Sequence, residues 1–168
     1  MEIRIAGTTR ESVVDGPGLR FVIFAQGCRH HCKDCHNPDT WDPLGGVPVN
    51  VEDLLEQVRK EKLIKGVTFS GGEPFLQARP LAWLGGQIKA LGLDIITYTG
   101  YTWEKLQVLL PEDQGIKELL LVSDYVVDGP FIKEERDFEL PFRGSRNQRI
   151  IDVKNSLSQC KVIEAGFS

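Results

Sequence analysis

Three cysteines, Cys28, Cys32 and Cys35, crowd into the pattern C-x3-C-x2-C. Thiolates are soft ligands that suit iron–sulfur clusters or zinc. Three of them on one short loop can hold three irons of a cubane and leave the fourth open, and an open position is where a metal centre does chemistry. A purely electron-carrying cluster usually has four cysteines. The remaining Cys160 stands far along the chain with no cysteine near it and reads as a free thiol. Spacing alone leaves a closed Cys3His zinc site open as an alternative, completed by His30, His31 or His36. Taken singly, each of these histidines reads equally well as a solvated surface residue.

A second group with chemical potential is Gly71-Gly72-Glu73-Pro74. Glycines let backbone approach a ligand closely, and a carboxylate at Glu73 can pair with an ammonium. The same four residues also make an ordinary strand-ending turn. Asp128-Gly129-Pro130 is a good turn sequence, and Asp15 before Gly16-Pro17-Gly18 suits a tight turn whose aspartate accepts backbone hydrogen bonds. Arg143 to Arg149 is basic and reads as a solvated loop, or as a segment that closes a site or meets a partner. Trp41, Trp83 and Trp103 suit core or partner contacts better than catalysis.

The elements that must position these groups follow from periodicity. Strand-like runs cover 21–25, 66–70, 94–99, 118–127 and 149–153, and helical spacing covers 51–58, 81–91 and 103–110. Asn50 is the candidate N-cap of the first helix. Alternation of strands with helices argues for a largely parallel sheet. A closed eight-unit barrel needs roughly 250 residues, and the chain has 168. The expected fold is therefore α/β, a partial, laterally open (βα) barrel or an open sheet, built as one domain over residues 1–168. Catalytic groups of such folds gather at the C-terminal ends of strands. Cys28 and Gly71 both follow predicted strands, so one rim can carry both. A net charge of -4 gives no electrostatic reason to expect nucleic acid or an anionic membrane as partner. Without a signal-peptide pattern or a stretch of ~20 apolar residues, and with cysteines spaced for metal, the expected location is the reducing cytoplasm.

With Asp15-Gly16-Pro17-Gly18-Leu19-Arg20 upstream and His36-Asn37-Pro38-Asp39-Thr40-Trp41 downstream, the cysteine segment resembles the radical S-adenosylmethionine (SAM) activases of glycyl radical enzymes. Thr99-Gly100-Tyr101, Val127-Asp128-Gly129-Pro130-Phe131 and Arg143-Gly144-Ser145 with Asn147-Gln148 are similar to the branch acting on anaerobic ribonucleoside-triphosphate reductase. The match runs from about residue 11 to 153. His36 to Trp41 is more similar to the formate-lyase activases, and Asp34 stands where many radical SAM proteins carry an aromatic residue. The resemblance implies a [4Fe-4S] cluster on Cys28, Cys32 and Cys35, with SAM chelating the open iron through its amino nitrogen and carboxylate. It further implies that one electron, from a donor such as flavodoxin or ferredoxin, cleaves SAM to a 5′-deoxyadenosyl radical that removes a hydrogen from a glycine of the partner enzyme. It places Gly71, Gly72 and Glu73 at the SAM ammonium and Thr99 and Asp128 around SAM or a monovalent cation. Asp15 and Arg20 would flank the cluster loop, with Asp15 contacting the partner's glycine loop. The partner is the large subunit of anaerobic ribonucleotide reductase, or alternatively a formate-lyase-like enzyme; the third reading is a non-redox, zinc-stabilised binding module.

Overall fold

The computed structural model describes residues 1–30 and 38–166. Among these, seven strands form one sheet in the order β3-β1-β2-β4-β5-β6-β7. They are β1 (Glu2–Ser12), β2 (Arg20–Ala25), β3 (Val47–Asn50), β4 (Gly66–Gly71), β5 (Asp94–Tyr98), β6 (Tyr125–Asp128) and β7 (Arg149–Asp152). The central strands β2, β4, β5 and β6 run parallel, as the alternation predicts. β1 and β7 pair antiparallel with their neighbours, as does β3 with β1. The reason lies in the connections. Residues 13–19 between β1 and β2, and 129–148 between β6 and β7, hold no crossover helix, so the chain returns antiparallel.

Among the described residues five α-helices cross over or cap the sheet: α1 (Val51–Lys60), α2 (Ala78–Ala90), α3 (Trp103–Leu109), α4 (Gln114–Val122) and α5 (Val153–Gln159). One face of the sheet packs against them, burying Phe21, Ile23, Val67, Phe69 and Ile95 with Leu54, Leu81, Leu84 and Leu119. The other face carries Ile96, Val127 and Ile150, with Tyr98, Tyr125 and Phe142 packed beside them.

Several expectations change. The run 118–127 is not one strand: helix α4 occupies its first part, started by Asp113, whose carboxylate accepts the Ile116 N–H at 3.1 Å. The Ser123 hydroxyl donates to Leu119 O at 2.8 Å and closes that helix. β1, β3 and α5 have no counterpart in the expected elements. Asn50 does precede α1, but its side chain makes no capping hydrogen bond. Cys160, exposed, ends α5 in a left-handed conformation.

Candidate active site

β2 delivers the chain into the cysteine loop, and backbone pairing closes the loop behind it. The Gly27 N–H donates to Thr40 O at 2.6 Å and the Cys28 N–H to Trp41 O at 3.1 Å. Gln26 reinforces the closure, its side-chain amide donating to Asp39 O at 2.9 Å and Asp42 O at 2.8 Å. Gln77, just before α2, donates to Gln26 O at 2.9 Å and to Arg4 O at 2.8 Å, and accepts the Arg4 N–H at 2.8 Å. A side-chain amide thus fills the place of a strand residue beside β1. Neither glutamine is signalled by sequence pattern; only the adjacency of Gln26 to the cysteines hints at a role. Cys28 is half-buried and lines a cavity of about 720 Å³. Cys32, Cys35, His31 and His36 lie outside the described residues.

The turn after β4 interlocks with this loop. Gly72 N–H donates to Ala25 O at 2.8 Å and Glu73 N–H to Gly27 O at 2.7 Å. Gly71 has φ +93°, and a Cβ on it would lie 2.5 Å from Ala25 N; a Cβ on Gly72 would collide with the Gly27 carbonyl. The protein's own packing therefore demands both glycines. Gly71 and Gly72 line the same cavity as Cys28.

Glu73 is fully buried. Its Oε1 accepts the Gly100 N–H at 2.8 Å and sits 2.6 Å from His30 Nε2. Its Oε2 accepts the Phe75 N–H at 3.1 Å, and the Thr99 hydroxyl lies 2.9 Å from both oxygens. These donors offset the desolvation of the carboxylate. The Tyr101 ring meets His30 edge-on at 4.6 Å between centroids. Burial, and next the Glu73 charge, raise the Tyr101 phenol above its ordinary pKa. His30 is therefore no solvated surface residue: it closes the cavity side of the Glu73 carboxylate.

Thr99 lines the cavity beside Glu73. Asp128 does not. Its buried carboxylate accepts from Trp103 N–H at 2.8 Å, Arg149 N–H at 3.2 Å, and Arg149 Nε and Nη2 at 3.1 and 2.6 Å. Those bonds to Asp128, chiefly, push the Arg149 pKa up. Asp128 joins the start of α3 to β7.

Asp15 lines the same cavity. Its carboxylate accepts the Ser12 hydroxyl at 2.5 Å, and its carbonyl accepts the Thr68 hydroxyl at 2.8 Å. Arg20 does not flank the cysteine loop. β2 separates them, roughly 17 Å at ~3.3 Å per residue, and the buried guanidinium instead binds Thr68 Oγ1 at 2.8 Å and Asp94 Oδ1 at 2.5 Å. Across the cavity, the 129–148 connection supplies Phe131, Arg136, Phe138, Phe142, Arg143 and Gln148. The segment expected as a loop into a strand thus also forms a wall of the site.

Residues 14–151 match the family described as a 4Fe-4S single cluster domain. The anaerobic ribonucleoside-triphosphate reductase-activating protein of Vibrio cholerae is 38% identical over 146 residues, covering 82% of this chain and 90% of that protein. The Haemophilus influenzae protein of the same name is 35% identical over 148 residues, with the same coverage. The pyruvate formate-lyase 1-activating enzyme of Escherichia coli K12 is 53% identical over 70 residues, which is 39% of this chain and 28% of that enzyme. Among solved structures, QueE from Escherichia coli has a TM-score of 0.49 at 22% identity, covering 61% of this chain and 54% of QueE. The 4Fe-4S match sets aside the zinc-module reading that cysteine spacing leaves open. The chain belongs to the 4Fe-4S single cluster domain family, among the anaerobic ribonucleoside-triphosphate reductase-activating proteins.

Proposed function

We propose that this protein cleaves SAM reductively at a [4Fe-4S] cluster and places a radical on a glycine of anaerobic ribonucleoside-triphosphate reductase. The observation that carries the reading is identity of 38% along 90% of a relative so named. Geometry supports it: Cys28 and the Gly71-Gly72 turn line one cavity, and the buried Glu73 carboxylate lies directly behind His30, Thr99 and Gly100, which line it too. The donor set fits the cluster, since Cys28 lines that cavity and Cys32 and Cys35 follow it at the family spacing. When bound through these three thiolates, the cluster supplies the electron for SAM cleavage.

The chain's own residues do the positioning. Glu73, held between Gly100 and Phe75, receives the SAM ammonium in the place His30 now takes. Gly71 and Gly72 keep that wall thin, and Thr99 orients the carboxylate. Asp15 meets a cationic side chain beside the partner's glycine. Residues 1–168 act as one partial, laterally open barrel, a reading supported by a single sheet whose end strands β3 and β7 do not pair with each other. Flavodoxin or ferredoxin serves as electron donor. Among the described residues no helix is long and apolar enough to cross a membrane, and the proposed location is the cytoplasm.

The 53% identity to a formate-lyase activase over 70 residues favours one second reading, a formate-lyase-like partner. One experiment decides. The reduced, reconstituted protein and SAM are mixed anaerobically with each glycyl radical enzyme, and the radical is read by electron paramagnetic resonance. A signal on the reductase supports the proposal; a signal on the lyase alone moves the partner; a signal on neither overturns both readings.

A further inference from the structure

The wall that residues 129–148 give the cavity carries two guanidinium groups that the proposed chemistry does not use. Arg143 donates through Nη1 to Gln148 O at 3.1 Å, and its buried Nε has no hydrogen-bond partner. The Nε of Arg136 is likewise buried without one. Its guanidinium lies over two rings, 5.1 Å from the Phe131 centroid and 5.3 Å from that of Phe138. A bridge between Arg136 and Ser145 sets the two stretches side by side. The backing is rigid: Gln148 Oε1 accepts from Gly144 N–H at 2.9 Å and Ser145 N–H at 3.2 Å, while its amide donates to Gly129 O at 3.0 Å. Asn147 donates to Pro130 O at 2.7 Å. Arg143 is thus held on a braced loop with the Nε of its Nε–Nη2 edge unpartnered, and that edge is the one that grips a carboxylate with two parallel hydrogen bonds.

Which anion it grips follows from charge. In the proposed reading the carboxylate of SAM is taken up at the cluster, its sulfonium is a cation and its adenosine is neutral. The cofactor leaves no anion for this wall. The lining carboxylates among the described residues are Asp15, held by Ser12, and Asp137, and neither forms an ion pair with these arginines. Two guanidinium groups facing a sulfonium repel it until an anion enters. The rim beside them is apolar and exposed: Phe138 at 85%, Val14 at 72% and Val13 at 67%. Such a rim is covered by a macromolecule rather than by a small anion.

We propose that Arg143, with Arg136, forms a subsite for a carboxylate of the glycyl radical enzyme segment that enters the cavity. The inference rests on the functional reading above. It makes the incoming segment doubly anchored, by a cation at Asp15 and an anion at Arg143.

The test uses the reconstituted protein with saturating SAM and the intact reductase. Arg143→Lys keeps the charge but removes the fork, and Arg136→Gln is the second variant, each checked for an unchanged melting temperature. The affinity for the reductase, measured by calorimetry, should fall roughly tenfold in Arg143→Lys, while the SAM dissociation constant stays within about twofold. Wild-type affinity for the reductase in both folded variants overturns the subsite. A loss of SAM affinity instead assigns the arginines to the SAM carboxylate and also overturns it. If the wild type forms no complex with the reductase, the functional reading fails first and the subsite falls with it.

Discussion

His30 Nε2 stands 2.6 Å from Glu73 Oε1, on a carboxylate that also accepts from Thr99, Gly100 and Phe75. An ammonium ligand that takes the His30 position on Oε1 must replace that imidazole. His30→Ala should therefore strengthen SAM binding by the reconstituted protein several-fold, as measured by calorimetry. Weaker binding would make His30 a ligand contact rather than an occupant of the ligand's place.

Glu73→Gln should leave iron and sulfide content unchanged and weaken SAM binding roughly 10- to 150-fold, since hydrogen bonds to charged groups contribute about 1.5–3 kcal/mol. The variant also turns an amide N–H₂ toward donors at Gly100 or Phe75. A lower melting temperature should accompany the loss. SAM binding equal to wild type would reduce Gly71-Gly72-Glu73 to a structural turn.

Alanine at Cys28, Cys32 or Cys35 should abolish the cluster and SAM cleavage, because each removes an iron ligand. Cys160→Ala should keep both, since that thiol is exposed at the end of α5. Iron and sulfide analysis checks this. Cluster loss in Cys160→Ala, with retention in one of the three, would reassign the ligands.

Asp15→Asn should lower the glycyl radical yield on the partner mainly through a higher apparent KM for it. The side chain lines the cavity, and its Ser12 bond survives in the amide. An equal fall in SAM cleavage measured without partner would place Asp15 in the SAM site instead.

Tyr98 donates to Phe142 O at 2.5 Å and so ties the 129–148 connection to β5. Phe142 has φ +62°, a left-handed backbone that a bulky residue holds only under constraint. Burial first, then the Asp15 charge, raises the Tyr98 pKa above its ordinary 10.0, against the opposing charge of Arg20. The folded state thus keeps its proton where the unfolded chain loses it. The resulting stability is whole below pH 10 and declines as pH rises further. Tyr98→Phe should cost about 1 kcal/mol at neutral pH and flatten the alkaline decline in urea denaturation. An unaltered slope between variant and wild type would exclude Tyr98 as its source.

Much of this site is legible in the sequence because its residues follow strand ends directly. Phe21 to Ala25 leads to Cys28 and Val67 to Ser70 leads to Gly71, so local pattern places both on one rim. The parallel core follows from the same alternation. What escapes is long-range. The apolar run through Glu118 to Val127 reads as one strand because nothing local distinguishes a buried helix from a buried strand; the Asp113 cap was the available clue. Ile3 and Ile5, both buried, alternate for only two periods before β1 becomes exposed. The partners of Glu73 come from segments 43 and 26 residues away, and those of Asp128 from one 25 residues before and one 21 residues after. Spacing carries no information on such pairings.

The backbone pairing of Gly27 and Cys28 with Thr40 and Trp41, stapled by Gln26, uses only protein donors and acceptors. Bringing the ends of a loop together carries an entropic penalty that rises slowly with its length. Here hydrogen bonds between protein groups alone meet that penalty. The closure of the loop ends therefore does not draw on the binding energy of a cluster held by the cysteines between them.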